Sequence, residues 1–596
     1  MRLYGILFPS AGICREPGLY YHGKEAADIQ DGKLFLHKGQ KLTFDTCFNA
    51  FPSEKYRRCT RLERLGLHFR FRGKVRVCCY ARTLSLAVQK LGESVVSSER
   101  ALSALVWWPE LSTLPQSLLL YFSLEGLEDS QIWDLQYQGQ GNQEPKRLAV
   151  VTCTYHREQE VMDTHWRFWK KLHDTTLWER LDFWIVDNGR TLRREQFPQG
   201  NIRLILSPNH GGSGGFGRGM QEVRRDGRVS HMILMDDDIL MEPGSLERLD
   251  AFLSLLRPEY DTLCVGGGML YRDEPFRQFE AGGMVEGGNQ WGHGHYLDLR
   301  LPENVAKNEM LRRIDYNGWW LMCLSIKGVG EELPMPFFLK YDDVEFCLRC
   351  QFPIITLNGF CVWHELFEKK YNTSIEYYQA RNFCFAFENR MTQKELADYI
   401  QKKVIKKLRC HQYNAARMIV RGYEEYRKGR GYLESLDPEN LHRQLLAESE
   451  PFLNEQQLRE EYGVIFQPEY FRWGHESKAV SWRRRLTLNG YLVPRRFYPK
   501  EPIGYRITHA IYDTEDMYFG ADRVLHYNPF THTGYVSRIS LREYARTRYR
   551  LWKVRHKARH KVGHKARHNV WHKDRIKSSD SKPKRKDDCD ETGPHN

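Results

Sequence analysis

Between His231 and Asp238 an apolar run, His-Met-Ile-Leu-Met, stops abruptly at three consecutive carboxylates, Asp236, Asp237 and Asp238. It is the last of four short apolar segments, at 148–153, 183–186, 202–206 and 231–235, separated by stretches with helical patterning. Strands alternating with helices commit this part of the chain to a mostly parallel α/β sheet, whose ligands gather at the carboxyl ends of the strands. Those ends are polar: Thr154-Tyr155-His156-Arg157 follows the first strand and Asp187-Asn188-Gly189-Arg190 the second. After the third comes Asn209-His210-Gly211-Gly212-Ser213-Gly214-Gly215, where glycine allows close backbone approach and the segment 216–223 can open a helix whose first N–H groups attract phosphate. In extended chain alternate residues share a face, so Asp236 and Asp238 are expected to face one site and Asp237 the other side. Carboxylates converging without thiolates suit a hard cation, Mg²⁺ or Mn²⁺, whose shell phosphate oxygens complete; a solvated acidic turn is the bland alternative.

At 596 residues the chain exceeds one ordinary core, so a multidomain α/β protein is expected. Residues 1–145 read as a β-sandwich: Leu67, Phe69 and Phe71 alternate with polar residues, Arg72-Gly73-Lys74 can turn, and Val75, Val77 and Cys79 alternate again. Residues 146–390 hold the α/β pattern, and 391–545 read as a mainly helical C-terminal domain, with helical patterns at 395–408 and 415–426. The 14 cysteines show no repeated zinc-site spacing and fit reduced, buried thiols. The N-terminus lacks the apolar core of a signal peptide, and the longest apolar run, 117–124, is too short for a bilayer span, so a cytoplasmic protein is expected.

Much of the net charge of +14 lies after residue 545, in a basic tail at 546–596. There, five tandem tetrads from Val554 to Lys573 each place a histidine third. The readings are a metal-binding histidine ladder, a cationic segment drawn to an anionic membrane surface, or a disordered solvated tail. Nothing in the body of the chain resembles a nucleic-acid-binding motif, so nucleic acid is not expected as a partner.

Further segments complete the inventory. Asn317-Gly318-Trp319-Trp320 offers aromatic faces for a sugar ring, or a pair of core tryptophans. Tyr341-Asp342-Asp343-Val344-Glu345 puts two acids at a helix start, where they cap the helix or stand at a cleft with one as general base. Val362-Trp363-His364-Glu365 follows the strand-like 354–357 and presents an imidazole, structural or a third metal ligand.

Taken in order, CTYHR, VDNG, NHGGSGGFGRG, DDD, NGWW, YDDVEFCLR and WHE resemble the inverting family 2 glycosyltransferases of GT-A fold, and within them the galactan-polymerising galactofuranosyltransferases of mycobacteria. The resemblance covers roughly residues 40 to 390, including Phe44-Asp45-Thr46-Cys47-Phe48-Asn49-Ala50-Phe51-Pro52 of the family's β-sandwich. It implies that Asp236, Asp238 and His364 form the metal site, for Mn²⁺ or Mg²⁺. Arg157, Asn188 and Asn209, with Gly211, Gly212 and Asp236, would hold the uridine diphosphate. Asp343 would be the catalytic base and Asp342 its acceptor-positioning neighbour, while Trp319 and Trp320 would line the sugar site. One departure is Asn188, in Asp-Asn-Gly where the family pattern is Asp-Gln-Gly; the histidine-rich tail is another.

The function so implied is transfer of galactofuranose from UDP-galactofuranose to a growing, lipid-linked or oligosaccharide acceptor of the cell surface, by a protein peripheral to the inner face of the membrane. A homo-oligomer is also a candidate assembly. The alternatives are the same chemistry with an activated rhamnose or a UDP-hexopyranose, and a non-catalytic glycan- or polyanion-binding protein.

Overall fold

The computed structural model describes residues 1–30, 32–198, 200–466, 478–498, 500, 504–512 and 514–556. The spine of its N-terminal region is one strand of 22 residues, β1 (Leu62–Thr83). One edge of β1 pairs throughout with β2 (Val88–Glu110); the other pairs first with β4 (Ser130–Gly141) and then with β3 (Ser117–Gly126). The expected turn at Arg72-Gly73-Lys74 is therefore a bend inside a continuous strand, and the chain reverses only at Thr83–Ala87, where Thr83 N–H bonds Ala87 O. Gly73 makes the bend at φ +109°, and a Cβ there would lie 2.4 Å from Ser130 Oγ, so only glycine fits. Nine strands join in this single antiparallel sheet, where a sandwich of two was expected, and the fold at Gly73 lets Phe122 and Tyr137 meet edge-on at 5.9 Å.

The second sheet is mixed α/β. It contains β5 (Leu148–Thr154), β6 (Leu181–Asp187), β7 (Asn201–Leu206), β8 (His231–Asp236), β9 (Leu240–Met241), β10 (Cys264–Tyr271), β11 (Leu321–Ser325) and β12 (Ile354–His364). Their order is β7-β6-β5-β8-β11-β10-β12-β9, with the first four parallel, as the alternation of apolar runs and helices requires. Between the strands run α1 (Glu158–Leu172), α2 (Gly211–Asp226), α3 (Gly244–Ser254) and α4 (Asp342–Cys350). One face of the sheet shares a core with the N-terminal sheet, Phe48 lying 5.4 Å from Trp363. The other face packs on α2, α4, α5 (Ile375–Phe387), α6 (Gln393–Arg409) and α7 (Tyr413–Tyr426).

The two sheets are pinned by buried polar groups. Arg248 of α3 is fully buried, donates to Asn358 O at 2.9 Å and to Phe48 O, and lies 4.5 Å over the Tyr4 ring. Asn358 in turn donates from Nδ2 to Thr46 O and Ala50 O. Gly359 makes room: at φ +74° its absent Cβ would stand 1.9 Å from Arg248 Nη1. Nearby, Lys55 and Glu309 form an ion pair at 2.9 Å with side chains only 3% and 2% exposed.

In the region expected to be mainly helical, helices run to Ala447 and recur at Glu455–Tyr462 and Lys478–Leu486, and a four-stranded sheet that was not expected carries Leu453–Asn454, Arg506–His509, Arg523–Asn528 and Thr533–Arg538. Those strands are too short for a clear alternation to declare them in the sequence. A last helix, α8 (Leu541–His556), crosses the boundary placed at 545. It buries Tyr544, Thr547, Leu551 and Val554 at helical spacing, and Arg555 pairs with Asp398 of α6 at 2.7 Å. The first tetrad thus begins in a packed helix, and the tetrads after His556 lie outside the described residues. Among the described residues no helix is long and apolar enough to cross a membrane.

Replacing Arg248 with methionine keeps the apolar stem but strips donors from two buried carbonyls. Arg248→Met is expected to lower unfolding free energy by about 2–4 kcal/mol, read by urea denaturation. Unchanged stability would show that the guanidinium is dispensable to the seam.

Candidate functional site

The parallel register sets Cys153 beside Asp236 and Thr154 beside Asp187, so the polar strand ends lie side by side. They open on a cavity of about 490 Å³, and every site residue singled out from the sequence lines it, from Arg157 to His364.

At its floor Asp236, Asp238 and His364 present ligand atoms all within 4.8 Å of one another. β8 ends at Asp236 and the chain then bends, so strict alternation does not extend past it: Asp237 also lines the cavity, where it takes Arg157 Nη1 at 2.7 Å. Arg157 lies 3.1 Å from Asp238 as well. His364 is not after a strand but the last residue of β12. Its Nδ1 meets the Glu365 carbonyl at 2.5 Å, and because a carbonyl only accepts, Nδ1 carries the proton. In the neutral ring Nε2 then turns a lone pair toward Asp238 at 3.3 Å and Asp236 at 3.9 Å. Three acceptors facing one another fit a divalent cation, and the oxygen and imidazole donors suit Mn²⁺ or Mg²⁺. Burial, then the Asp238 charge, raises the pKa of Asp236. Burial also works against Asp238, but His364 in its protonated form, Lys370 and Arg157 overcome it and hold that carboxyl well below its usual range. Lys370, which contacts Asp238 Oδ2, and Lys340 were not foreseen; no spacing in the sequence ties either to the triplet.

The glycine segment is itself helix, since α2 begins at Gly211 and not at residue 216. Asn209 Oδ1 accepts from Gly211 N at 3.0 Å, and Asn188 Nδ2 donates to Gly211 O at 3.0 Å. Both asparagines therefore shape the loop from the cavity wall, and Asn188 Oδ1 is left buried with no donor among the described residues. Asp187, fully buried, accepts four backbone N–H groups from Gly189 to Leu192 at 2.7–3.0 Å and fixes the neighbouring turn.

Gly211 at φ +68° packs so closely that a Cβ would lie 2.2 Å from Phe338 O. That contact reaches a strained segment, for Phe338, Lys340 and Tyr341 have φ of +74°, +66° and +67° just before the paired acids. α5 holds it in place: Asn382 Nδ2 donates to Leu339 O at 2.7 Å and Lys340 O at 3.0 Å, and Arg381 donates to Phe337 O at 2.7 Å. Asp342 and Asp343 then open α4, where Asp343 Oδ1 accepts from Val344 N at 2.7 Å. Burial raises the pKa of both acids, with their mutual repulsion adding at Asp342. Glu280, absent from the sequence reading, is pushed up to about 8 by burial and then by Asp343. Trp319 and Trp320 are buried core rings that reach the cavity, Trp319 packing on Phe216 and Phe346, and Trp320 donating from Nε1 to Gly267 O at 3.3 Å.

No family model matches the chain. It is 26% identical over 443 residues to the galactofuranosyltransferase GlfT2 of Mycolicibacterium smegmatis, covering 67% of this chain and 65% of that protein. To the GlfT2 of Mycobacterium tuberculosis it is 28% identical over 363 residues, 55% of each chain. Among solved structures a mannosyltransferase of Pyrobaculum calidifontis in complex with GDP-Man and Mn²⁺ is 12% identical over 51% of this chain and 80% of that one, with a TM-score of 0.28, too distant to carry an argument. The chain therefore resembles glycosyltransferases, and in particular galactofuranosyltransferases of the GlfT2 type, while spanning under two thirds of their length.

Asp238→Ala should abolish saturable Mn²⁺ binding, and His364→Ala should weaken it by about 10–100-fold, in calorimetric titration of the folded proteins. Equal titration curves for His364→Ala and parent would make that imidazole structural. Asn382→Ala should leave Mn²⁺ binding intact but loosen the strained segment, read as faster amide exchange at 339–343 by mass spectrometry. Exchange as slow as in the parent would remove α5 from the support of the acids.

Proposed function

We propose that this chain is an inverting, metal-dependent glycosyltransferase of GT-A fold that transfers galactofuranose from UDP-galactofuranose to a growing, lipid-linked cell-surface glycan, acting peripherally at the cytoplasmic face of the membrane. The observation that carries the reading is one cavity lined by both an Asp-Asp-His cluster and a second, half-buried pair of acids, with the start of α2 also in its wall. The choice of galactofuranose rests on the resemblance to the GlfT2 enzymes.

In this reading Asp343, its pKa raised by burial, takes the proton of an acceptor hydroxyl. The hydroxyl oxygen bonds to the anomeric carbon as the bond to the nucleotide diphosphate breaks, and a single displacement inverts the configuration. Asp342 orients the acceptor. Asp236, Asp238 and His364 would hold a divalent cation, which would supply neutralising charge to the diphosphate. The N–H group of Gly212 and the guanidinium of Arg157, itself fixed by Asp237, receive phosphate oxygens. Asn188 Oδ1 offers an acceptor to the base, and Trp319 and Trp320 wall the sugar.

Transfer from a panel of nucleotide sugars to a glycolipid acceptor tests the reading. Turnover confined to UDP-galactofuranose supports it, and turnover with another sugar alone would keep the chemistry and replace the donor. Asp343→Asn should cut turnover by about 10² or more with UDP binding retained, whereas Asp342→Asn should act mainly on acceptor affinity. If Asp342→Asn is the less active variant, the base is Asp342. Because the base must be ionised and burial raises its pKa, activity should fall as pH drops through a value above the ordinary carboxylate range of about 4. A pH–rate profile flat down to pH 4 would contradict this.

A further inference from the structure

A second cavity, of about 310 Å³, lies behind the wall of the first. Tyr341 lines both, and in the segment that follows β12, Lys370 and Asn372 face the first cavity while Tyr371 between them faces the second. We propose that this second cavity is a subsite for a phosphate or diphosphate group on the acceptor. The proposal rests on the glycosyltransferase reading for the word acceptor, and on the cavity's own residues for the anion.

Its charge is one-sided. Lys403, Lys406 and Lys407 stand at i, i+3 and i+4 on α6 and all line it, against Glu376 as the one acid among the described lining residues. Glu376 is already engaged, by Lys407 at 2.6 Å and by the Tyr371 hydroxyl at 3.1 Å. Lys403 and Lys406 have no carboxylate within ion-pair distance among the described residues, and the Lys403 ammonium stands 5.3 Å over the Tyr399 ring. Two ammonium groups in excess at the mouth of a cavity walled by Tyr341, Tyr371 and Tyr399 fit a phosphate carried on a sugar or an apolar chain, since lysine binds phosphate as a point charge. A merely solvated basic face would have no cavity for its lysines to share.

Position makes the occupant acceptor and not donor. The first cavity holds the metal ligands and the glycine turn that suit the donor diphosphate. Tyr341 immediately precedes Asp342 and Asp343, so a group held beyond Tyr341 lies on the side of the base. Whether the phosphate belongs to a lipid-linked glycan or to a soluble phosphorylated one is separated by the experiment.

Inorganic pyrophosphate is the probe, titrated calorimetrically with EDTA present so that the bare Asp236 and Asp238 repel it from the first cavity. The parent should bind, the double variant Lys403→Gln/Lys406→Gln should bind at least tenfold more weakly, and Lys402→Gln, on the same helix but outside the lining, should bind like the parent. No binding by the parent, or equal binding by the double variant, overturns the subsite. In transfer assays the double variant should raise KM at least tenfold for the acceptors that carry phosphate, with kcat retained, and leave a neutral glycoside unaffected. A KM effect on a lipid diphosphate alone names the lipid-linked source, and one on a soluble phosphoglycan alone names the other; an equal effect on the neutral glycoside overturns the proposal. If no donor supports transfer, the functional reading fails while the pyrophosphate titration still decides whether the anion site exists.

Discussion

One buried guanidinium governs how the two sheets meet. Arg248 rises from α3 into a space bounded by Phe48, Tyr4 and the backbone at Asn358 and Gly359, and among the described residues no carboxylate is hydrogen-bonded to it. The charges of Glu242, Glu247 and Glu309 are near enough to feel it, and carbonyl dipoles and an aromatic face replace its water. Those groups come from three separate stretches of chain, so satisfying Arg248 fixes the N-terminal sheet against β12. Because β12 ends in His364, the same seam sets the height of the imidazole over Asp238.

The paired acids depend on a different kind of support. Phe338, Lys340 and Tyr341 are held in backbone conformations that L-residues rarely adopt, and each such residue costs roughly 1–3 kcal/mol. Asn382 and Arg381 offset part of that cost by bonding the carbonyls of Phe337, Leu339 and Lys340 from α5, and Gly211 lets α2 close against the other side. The site is thus built from both flanks of the sheet. Preorganisation of this kind places a base without reorganisation at the moment of reaction.

Charge is arranged in layers around the cavity. Asp236 and Asp238 repel one another and are partly relieved by Arg157, Lys370 and His364, while Asp342 and Asp343 sit further from cations and are pushed toward their neutral forms. Asp238 and Asp343, shifted in opposite directions by their surroundings, suit two tasks, holding a cation and moving a proton. The tyrosine wall at 341 and 371 separates both from the lysines of α6.

The parallel strands were legible because a fully buried strand must be an apolar run, and the cavity was legible because such strands can end only in loops that share one edge. Hence Asp236, Asp238, Asn188 and Gly211 could be placed at one edge before any coordinates, whereas Asp343, at a helix start, was singled out through the family resemblance. The alternation at 67–79 was equally plain, but it could not reveal that Gly73 bends a single strand, since hairpin and bulge give the same period. Asp237 was assigned to the wrong side because period two holds only while the strand lasts, and β8 ends at Asp236. Lys340, Lys370, Glu280 and the α5 clamp lie outside any local pattern. Their roles come from tertiary packing, which brings them to the cavity from segments with no fixed spacing to the motifs, and the sequence alone carries no distance between such segments.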